Sequence, residues 1–314
     1  MSGEMMSVEY FPGLEEEANK TGEILIDGAS IISFPIFKED SKFSMGDISK
    51  MSVMDYGDEC FLLNSVLTLQ ECKQFIDDGE ALGFNDILYS HKDYRSCQRL
   101  SFQSTELATH LWQRIQGHLK SIIIDQDPHN LHIEGAPLLM QGTWVPKGLN
   151  NIFRLARYKP GGHFAPHNDG YFVQSASVRS LQTFMVYLNS NFSGGSTNFI
   201  DPSQKLYKGS DGKYCAEEKN ILCRIQPEEG QAIIFNHNRL HEGEKLNEGQ
   251  KYILRTDIMY ENVTPPHLST NQNEAVLLLQ EADRLEAAGQ CMEAMELFRK
   301  AYKLCPELEQ YSTS

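Results

Sequence analysis

The feature that most restricts the fold is a succession of short strand-like runs after about residue 130, with no helical spacers between them. "NIFRLARY", "SLQTFMVYLN", "QAIIFNH" and "KYILRTDIMY" are rich in β-branched and aromatic residues and bounded by Gly, Pro and Asn turns. Helices first and closely spaced strands after predict an α+β chain built on an antiparallel sandwich or jelly roll. The stretch 201–230 carries Ser-Asp-Gly and Pro-Glu-Glu-Gly turn signals. It is expected to form a surface hairpin between core strands.

The N-terminal half supplies the helices. A short strand at Phe61 to Leu63 runs into Thr68, a helix cap, after which Cys72, Phe75 and Ile76 recur at helical spacing until Gly83. A second helix is predicted over 104–124, with Leu107, Leu111, Ile115 and Leu119 on one stripe. Residues 1–55 read as a partly ordered leader with a single hairpin, and 56–264 as the main domain. After a Pro- and Ser/Thr-containing linker at 265–272, residues 273–310 read as helix, turn at Ala288-Gly289-Gln290, and a second helix ended by Pro306. Small Ala282, Ala294 and Ala301 beside large Leu278, Leu285 and Phe298 resemble one tetratricopeptide-repeat unit. A single unit cannot bury its own apolar face, so it caps the main domain or receives a protein partner.

Charge narrows the partners. A formal net charge of −15 argues against a nucleic-acid or anionic-membrane surface. It suits a basic protein partner instead. The acidic N-terminus has no apolar signal region and no run reaches transmembrane length. Seven scattered cysteines, odd in number and never in a CxxC pair, read as free thiols. These features predict a cytoplasmic protein, with a nuclear location left open.

Chemistry concentrates in "GGHFAPHNDGYF", residues 161–172. His167 and Asp169 are two apart, so on extended backbone both leave the same face. His241 stands far downstream in "FNHNRLHEGEKLNEGQKYILRTDIMY", and Arg255 lies within the next strand-like run. Two histidines and one carboxylate are the facial-triad set that holds non-haem Fe(II) with open positions; zinc with an open position shares it. His163 and His237 each lie four residues before a proposed ligand and are the competing histidines. His129, His132 and His267 read as ordinary loop residues. Arg255, inside an apolar strand, must meet an anion, either a bound diacid or a carboxylate such as Asp257. Arg154 and Arg157 alternate on one strand, and the spacing leaves open which faces inward. Arg95 and Arg99 are candidates for the mouth of a site.

The pattern resembles the 2-oxoglutarate- and Fe(II)-dependent dioxygenases, most closely the prolyl 4-hydroxylase-like branch. "RYKPGGHFAPHNDG" looks like that branch's entry to its first metal motif. "TFMVYLNSNFSGGSTNF" looks like its central strand, loop and Gly-Gly strand, and "HEGEKLNEGQKYILRTD" like its second-histidine segment. The likeness covers about 150–262 and extends back toward 58.

It implies a distorted double-stranded β-helix (cupin-like jelly roll) carrying Fe(II) on His167, Asp169 and His241. Its cosubstrates are 2-oxoglutarate and O2, with ascorbate support. The implied reaction releases succinate and CO2 as a substrate C–H bond, peptidyl proline first, is hydroxylated; no catalytic residue beyond the metal centre is needed. Arg255 would clasp the far carboxylate of the diacid and Tyr158 would contact it. Period-two alternation puts Thr183, Met185 and Tyr187 on one strand face, from which Thr183 and Tyr187 would donate hydroxyl hydrogen bonds to it. The rival reading is a non-catalytic, metal-stabilised jelly-roll scaffold that binds partners through its C-terminal helices.

Overall fold

The computed structural model describes residues 25–26, 29–30, 48–87, 91–125, 137–175, 177–287 and 290–311. Most of the expected leader, together with His129, His132 and the Ala288-Gly289 turn, lies outside them. Leu25–Ile26 pairs with Ala29–Ser30 as a minimal antiparallel ladder.

Two antiparallel sheets form the core, as in a double-stranded β-helix. The major sheet runs β1 (Ser49–Ser52), β2 (Cys60–Asn64), β10 (Ala232–Asn236), β7 (Val178–Tyr187), β12 (Lys251–Asn262), β5 (Ile152–Tyr158) and β3 (Gln98–Gln103). The minor sheet runs β9 (Ile221–Ile225), β8 (Thr197–Ile200), β11 (His241–Gly243) and β6 (His163–His167), with Arg95–Ser96 on its far edge. Strand β4 (Gly142–Leu149) extends the major sheet along the far half of β12. Because β1 pairs with β2, the sheet begins before residue 56.

Alternation along β7 divides the core as its sequence pattern predicts. Phe184 and Val186, with Leu188 just beyond, pack on the helical side with Leu254 and Phe153. Met185 and Tyr187 face the other sheet with Phe199 and Phe235. Successive residues of a strand leave opposite faces, so one strand serves both an apolar backing and a lumen.

On the backing lie α1 (Leu69–Leu82) and α2 (Thr105–Ile115). Thr68 and Glu71 form a reciprocal capping box, and Gly83, at φ 89°, ends α1. Helix α2 stops at Ile115 and not near 124, and Ile122–Ile124 becomes a strand against β4. Three β-branched residues in a row pack better in a ladder than on a helix. The stretch 201–230 is a long excursion whose return leg, β9, pairs with β8.

C-terminally, α3 (Thr270–Ala287) and α4 (Cys291–Leu304) form a helical hairpin. Ala275, Ala282, Ala294 and Ala301 are fully or almost fully buried, the small side chains letting the helices approach closely. Leu138 and Leu139 of the main domain pack against the hairpin's core, so the hairpin rests on that domain. Among the described residues no helix is long and apolar enough to cross a membrane.

The two backing helices are joined by a buried ion pair: Arg114 Nη2 lies 2.5 Å from Glu71 Oε1, both side chains at most 3 % exposed. Arg114 also donates to the Val66 carbonyl. Removing one member strands the other charge, at a cost of about 3–5 kcal/mol. Urea unfolding of Arg114→Leu should show that loss, and the double variant with Glu71→Leu should recover more than half of it.

Candidate metal centre

The minor sheet carries the two histidines. His167 on β6 and His241 on β11 are directly opposite in register, with an irregularity between Phe164 and His167 that re-aims the end of β6. The Gly-Gly turn before β6 is explained by backbone crowding. Gly161 has φ +83°, and a Cβ on Gly162 would stand 2.8 Å from the carbonyls of both Lys159 and Ser96. Asp169 lies beyond the strand, its N–H donating to the His237 carbonyl at 2.8 Å, which ties it to the end of β10.

These three expected residues converge: one donor atom from each of His167, Asp169 and His241 falls within 4.8 Å of the others. The Nε2 atoms of His167 and His241 lie 3.6 and 3.7 Å from the two Asp169 oxygens. Each histidine's Nδ1 meets a backbone carbonyl, Ala165 at 2.7 Å and Arg239 at 2.8 Å. That contact holds the proton on Nδ1 and leaves the Nε2 lone pair toward the common centre, the orientation metal-bound histidines adopt. Burial, and then the neighbouring His167, bring His241 down to about 3, so its ring is a neutral donor at physiological pH. Burial opposes ionisation of Asp169, yet Arg255, His241 and His167 together hold its carboxyl well below the ordinary carboxylate range. Two imidazoles with Nε2 turned to one centre and one carboxylate fit a borderline divalent ion such as Fe(II).

The competing histidines are otherwise engaged. His163 Nε2 contacts the Asp93 carbonyl. His237 lies between Thr183 Oγ1 at 3.1 Å and Ser180 Oγ at 3.0 Å, and burial lowers it to about 4. His267 is exposed.

Around the triad lies a cleft between the two sheets. The expected cosubstrate residues take different places in it. Tyr158 lines the cleft. Thr183 instead donates to Asp169 Oδ2 at 2.6 Å, and Tyr187 donates to Thr197 Oγ1 at 2.8 Å. Arg255, expected to clasp a diacid, instead places Nη1 2.8 Å from Asp169 Oδ1 and Nη2 3.8 Å from Asp257. Its fork is occupied because the nearest buried carboxylate is the proposed metal ligand itself. Of the two arginines on β5, Arg154 faces the cleft, while Arg157 pairs with Glu80 on the helical side.

The residue that sequence reasoning missed is Lys251. It opens β12, is 4 % exposed and lines the cleft. Its ammonium donates to the Gly195 carbonyl at 2.6 Å and lies 5.6 Å from the ring centroids of Tyr158 and Tyr187. Among the described residues no carboxylate lies within ion-pair distance of it. Burial lowers it to about 8 against weak opposition from Glu244 and Cys97. A buried cation without an anion is costly, and this one sits where a bound carboxylate would offset that cost. A signal for it exists in the sequence: residues 251, 253 and 255 share a strand face, so a cation at 251 is as eligible as one at 255.

A family model described as the 2OG-Fe(II) oxygenase superfamily matches residues 153–256, a span that holds all three donors, Tyr158, Lys251 and Arg255. No curated protein sequence matches the chain. Among solved structures, a viral collagen prolyl hydroxylase from Paramecium Bursaria Chlorella virus-1 is 19 % identical, covering 67 % of this chain and 99 % of its own, with a TM-score of 0.38. A prolyl-4-hydroxylase from Pseudomonas putida is 13 % identical over 64 % of this chain and 92 % of its own, with a TM-score of 0.40. A Trichoplax adhaerens prolyl hydroxylase, in complex with a hypoxia inducible factor peptide fragment, is 16 % identical over 64 % and 83 %, with a TM-score of 0.42. Residues 153–256 of this chain are a domain of the 2OG-Fe(II) oxygenase superfamily.

Proposed function

We propose that the chain is a 2-oxoglutarate-dependent hydroxylase in which His167, Asp169 and His241 hold Fe(II) and Lys251 receives the far carboxylate of 2-oxoglutarate. The observation that carries this reading is the pairing of a convergent donor triad with a buried, anion-less ammonium in one cleft. With 2-oxoglutarate and O2, bound Fe(II) supplies oxidation of a substrate C–H bond, with succinate and CO2 released. A peptidyl residue, proline first, is the substrate class that the prolyl 4-hydroxylase-like motifs favour.

The protein's own residues bind, orient and exclude water. Arg255 and Thr183 each take one oxygen of Asp169, which fixes the carboxylate's orientation before any ion arrives. They are positioning residues. Phe164 stacks on His167 with ring centroids 3.5 Å apart, and Phe235 meets His241 edge-on at 4.6 Å. These contacts hold the imidazole rings in place. The Tyr158 hydroxyl is pushed well above its ordinary value by burial, so it stays a neutral donor toward a bound carboxylate. Tyr187 braces Thr197 of the facing sheet. A structural metal site alone gives Lys251 no counter-anion, and the scaffold reading leaves it unexplained.

The tests separate these roles. His167→Ala should abolish both Fe(II) retention and conversion of 2-oxoglutarate to succinate; unchanged turnover would remove the proposed centre. Lys251→Met should raise KM for 2-oxoglutarate by about 10- to 100-fold, the loss of a charged hydrogen bond in a buried site, with Fe(II) affinity retained. Arg255→Gln should do the reverse, weakening Fe(II) about 10-fold through a loosened Asp169. If Arg255→Gln carries the KM effect and Lys251→Met does not, the two roles are exchanged.

The pH dependence follows from the lowered lysine. Its ammonium is present below about pH 8 and lost above it. Affinity for 2-oxoglutarate, measured anaerobically, should therefore be flat from pH 6.5 to 7.5 and fall as pH rises from 8 to 9.5. A flat profile across the whole range would exclude Lys251 as the carboxylate's partner.

A further inference from the structure

His237 is a buried histidine that the donor triad does not use. It stands one residue beyond β10, and its N–H donates to the Leu181 carbonyl of β7. Its ring lies between two fully buried hydroxyls of that strand, with Nδ1 3.1 Å from Thr183 Oγ1 and Nε2 3.0 Å from Ser180 Oγ. On a regular strand, positions 180 and 183 would leave opposite faces. In β7, Ser180 stands opposite Met259 and Gln182 opposite Ile258, so Leu181 is the extra residue of a bulge. Leu181 turns to the apolar backing, and Ser180 and Thr183 reach the same ring.

Counting protons gives this network one direction. Asp169 is ionised and can only accept, so the single hydroxyl proton of Thr183 goes to Oδ2, 2.6 Å away. Thr183 Oγ1 must then accept from His237, which assigns a proton to Nδ1. Burial keeps the ring neutral, so Nε2 is bare and takes the hydroxyl proton of Ser180. Ser180 Oγ in turn accepts from the Phe172 N–H at 2.7 Å. Phe172, Ser180, His237 and Thr183 thus donate head to tail toward one carboxylate. Hydrogen bonds aligned in this way strengthen one another, so Thr183 is a better donor to Asp169 than a lone hydroxyl. The His237 carbonyl also accepts the Asp169 N–H at 2.8 Å. One histidine therefore holds the aspartate at its backbone and, through Thr183, at its side chain.

We infer that His237 is a positioning residue of the metal centre: acting through Thr183, it fixes the Asp169 carboxylate for the ion, while Ser180 holds the required tautomer. Arg255 secures the other oxygen of Asp169 by charge, so the two oxygens are held by separate devices. A histidine that only filled space would need no particular ring nitrogen protonated. The inference rests on the reading of His167, Asp169 and His241 as a metal centre.

The test titrates full-length, metal-free protein with Co(II), followed by its visible d–d absorption, in wild type and in His237→Asn, His237→Gln and His237→Leu. The Asn amide NH2 takes the place of Nδ1–H and can donate to Thr183, whereas the longer Gln amide reaches toward Ser180 in the place of Nε2. His237→Asn should keep the Co(II) Kd within about threefold of wild type, and His237→Gln and His237→Leu should weaken it by about 10- to 100-fold, as loss of a ligand-orienting partner does. The d–d band should change shape in the last two and not in His237→Asn. Equal Co(II) affinity in the Asn and Gln variants overturns the inference, whether both match wild type or both are weakened. So does wild-type affinity in His237→Leu. If neither amide variant gives a wild-type near-UV circular dichroism spectrum, the histidine is structural and the inference also falls. A wild-type protein that binds Co(II) no more tightly than His167→Ala sinks the metal centre itself. Tight wild-type binding with indifferent His237 variants sinks only the positioning role.

Discussion

Ionised Asp169, 2 % exposed, is the constraint around which the rest of the lumen is organised. A carboxylate that deep is unstable unless its charge and lone pairs are met. Arg255 meets one oxygen from β12, Thr183 meets the other from β7, and the backbone N–H is anchored just past the end of β10. Three adjacent strands of the major sheet thus converge on one residue, while the minor sheet brings His167 and His241 to the same point. A double-stranded β-helix suits such a centre because its two sheets face each other across a lumen narrow enough for donors from both to meet.

The strand pattern makes this architecture legible because period-two alternation carries the division between backing and lumen. Met185 and Tyr187 separate from Phe184, Val186 and Leu188 by parity alone, and the packing follows that parity. The convergence of positions 167, 169 and 241 is legible for a different reason. A His-x-Asp on extended backbone and a histidine just after a strand, within an ordered set of turn and strand motifs, leave little freedom in where those side chains can point.

What parity cannot do is choose among residues on one face. Lys251 and Arg255 both look into the lumen, and only distances show that Arg255 is held by Asp169 while Lys251 faces the Gly195 carbonyl. Thr183 departs from expectation on the same ground: its face is as predicted, but the partner of its hydroxyl is a carboxylate reached across a tertiary contact. The end of α2 escapes for a related reason. Leu107, Leu111 and Ile115 define a stripe that Leu119 would extend, yet Ile122–Ile124 find a ladder partner in β4, further down the chain. Sequence periodicity states a local preference and is silent on the competing partner.

Charge is where local and global readings part most widely. Net charge is a sum over the surface, and a sum erases register. Arg99, Arg154 and Arg255 are widely separated along the sequence, so no basic cluster is visible in the chain order. Pairing of β3, β5 and β12 sets them side by side on one wall. Arg154 stands directly opposite Arg255 with Asp257 beside both, and Asp169 also meets Arg255, so carboxylates brought from elsewhere in the fold offset the like charges that register sets together.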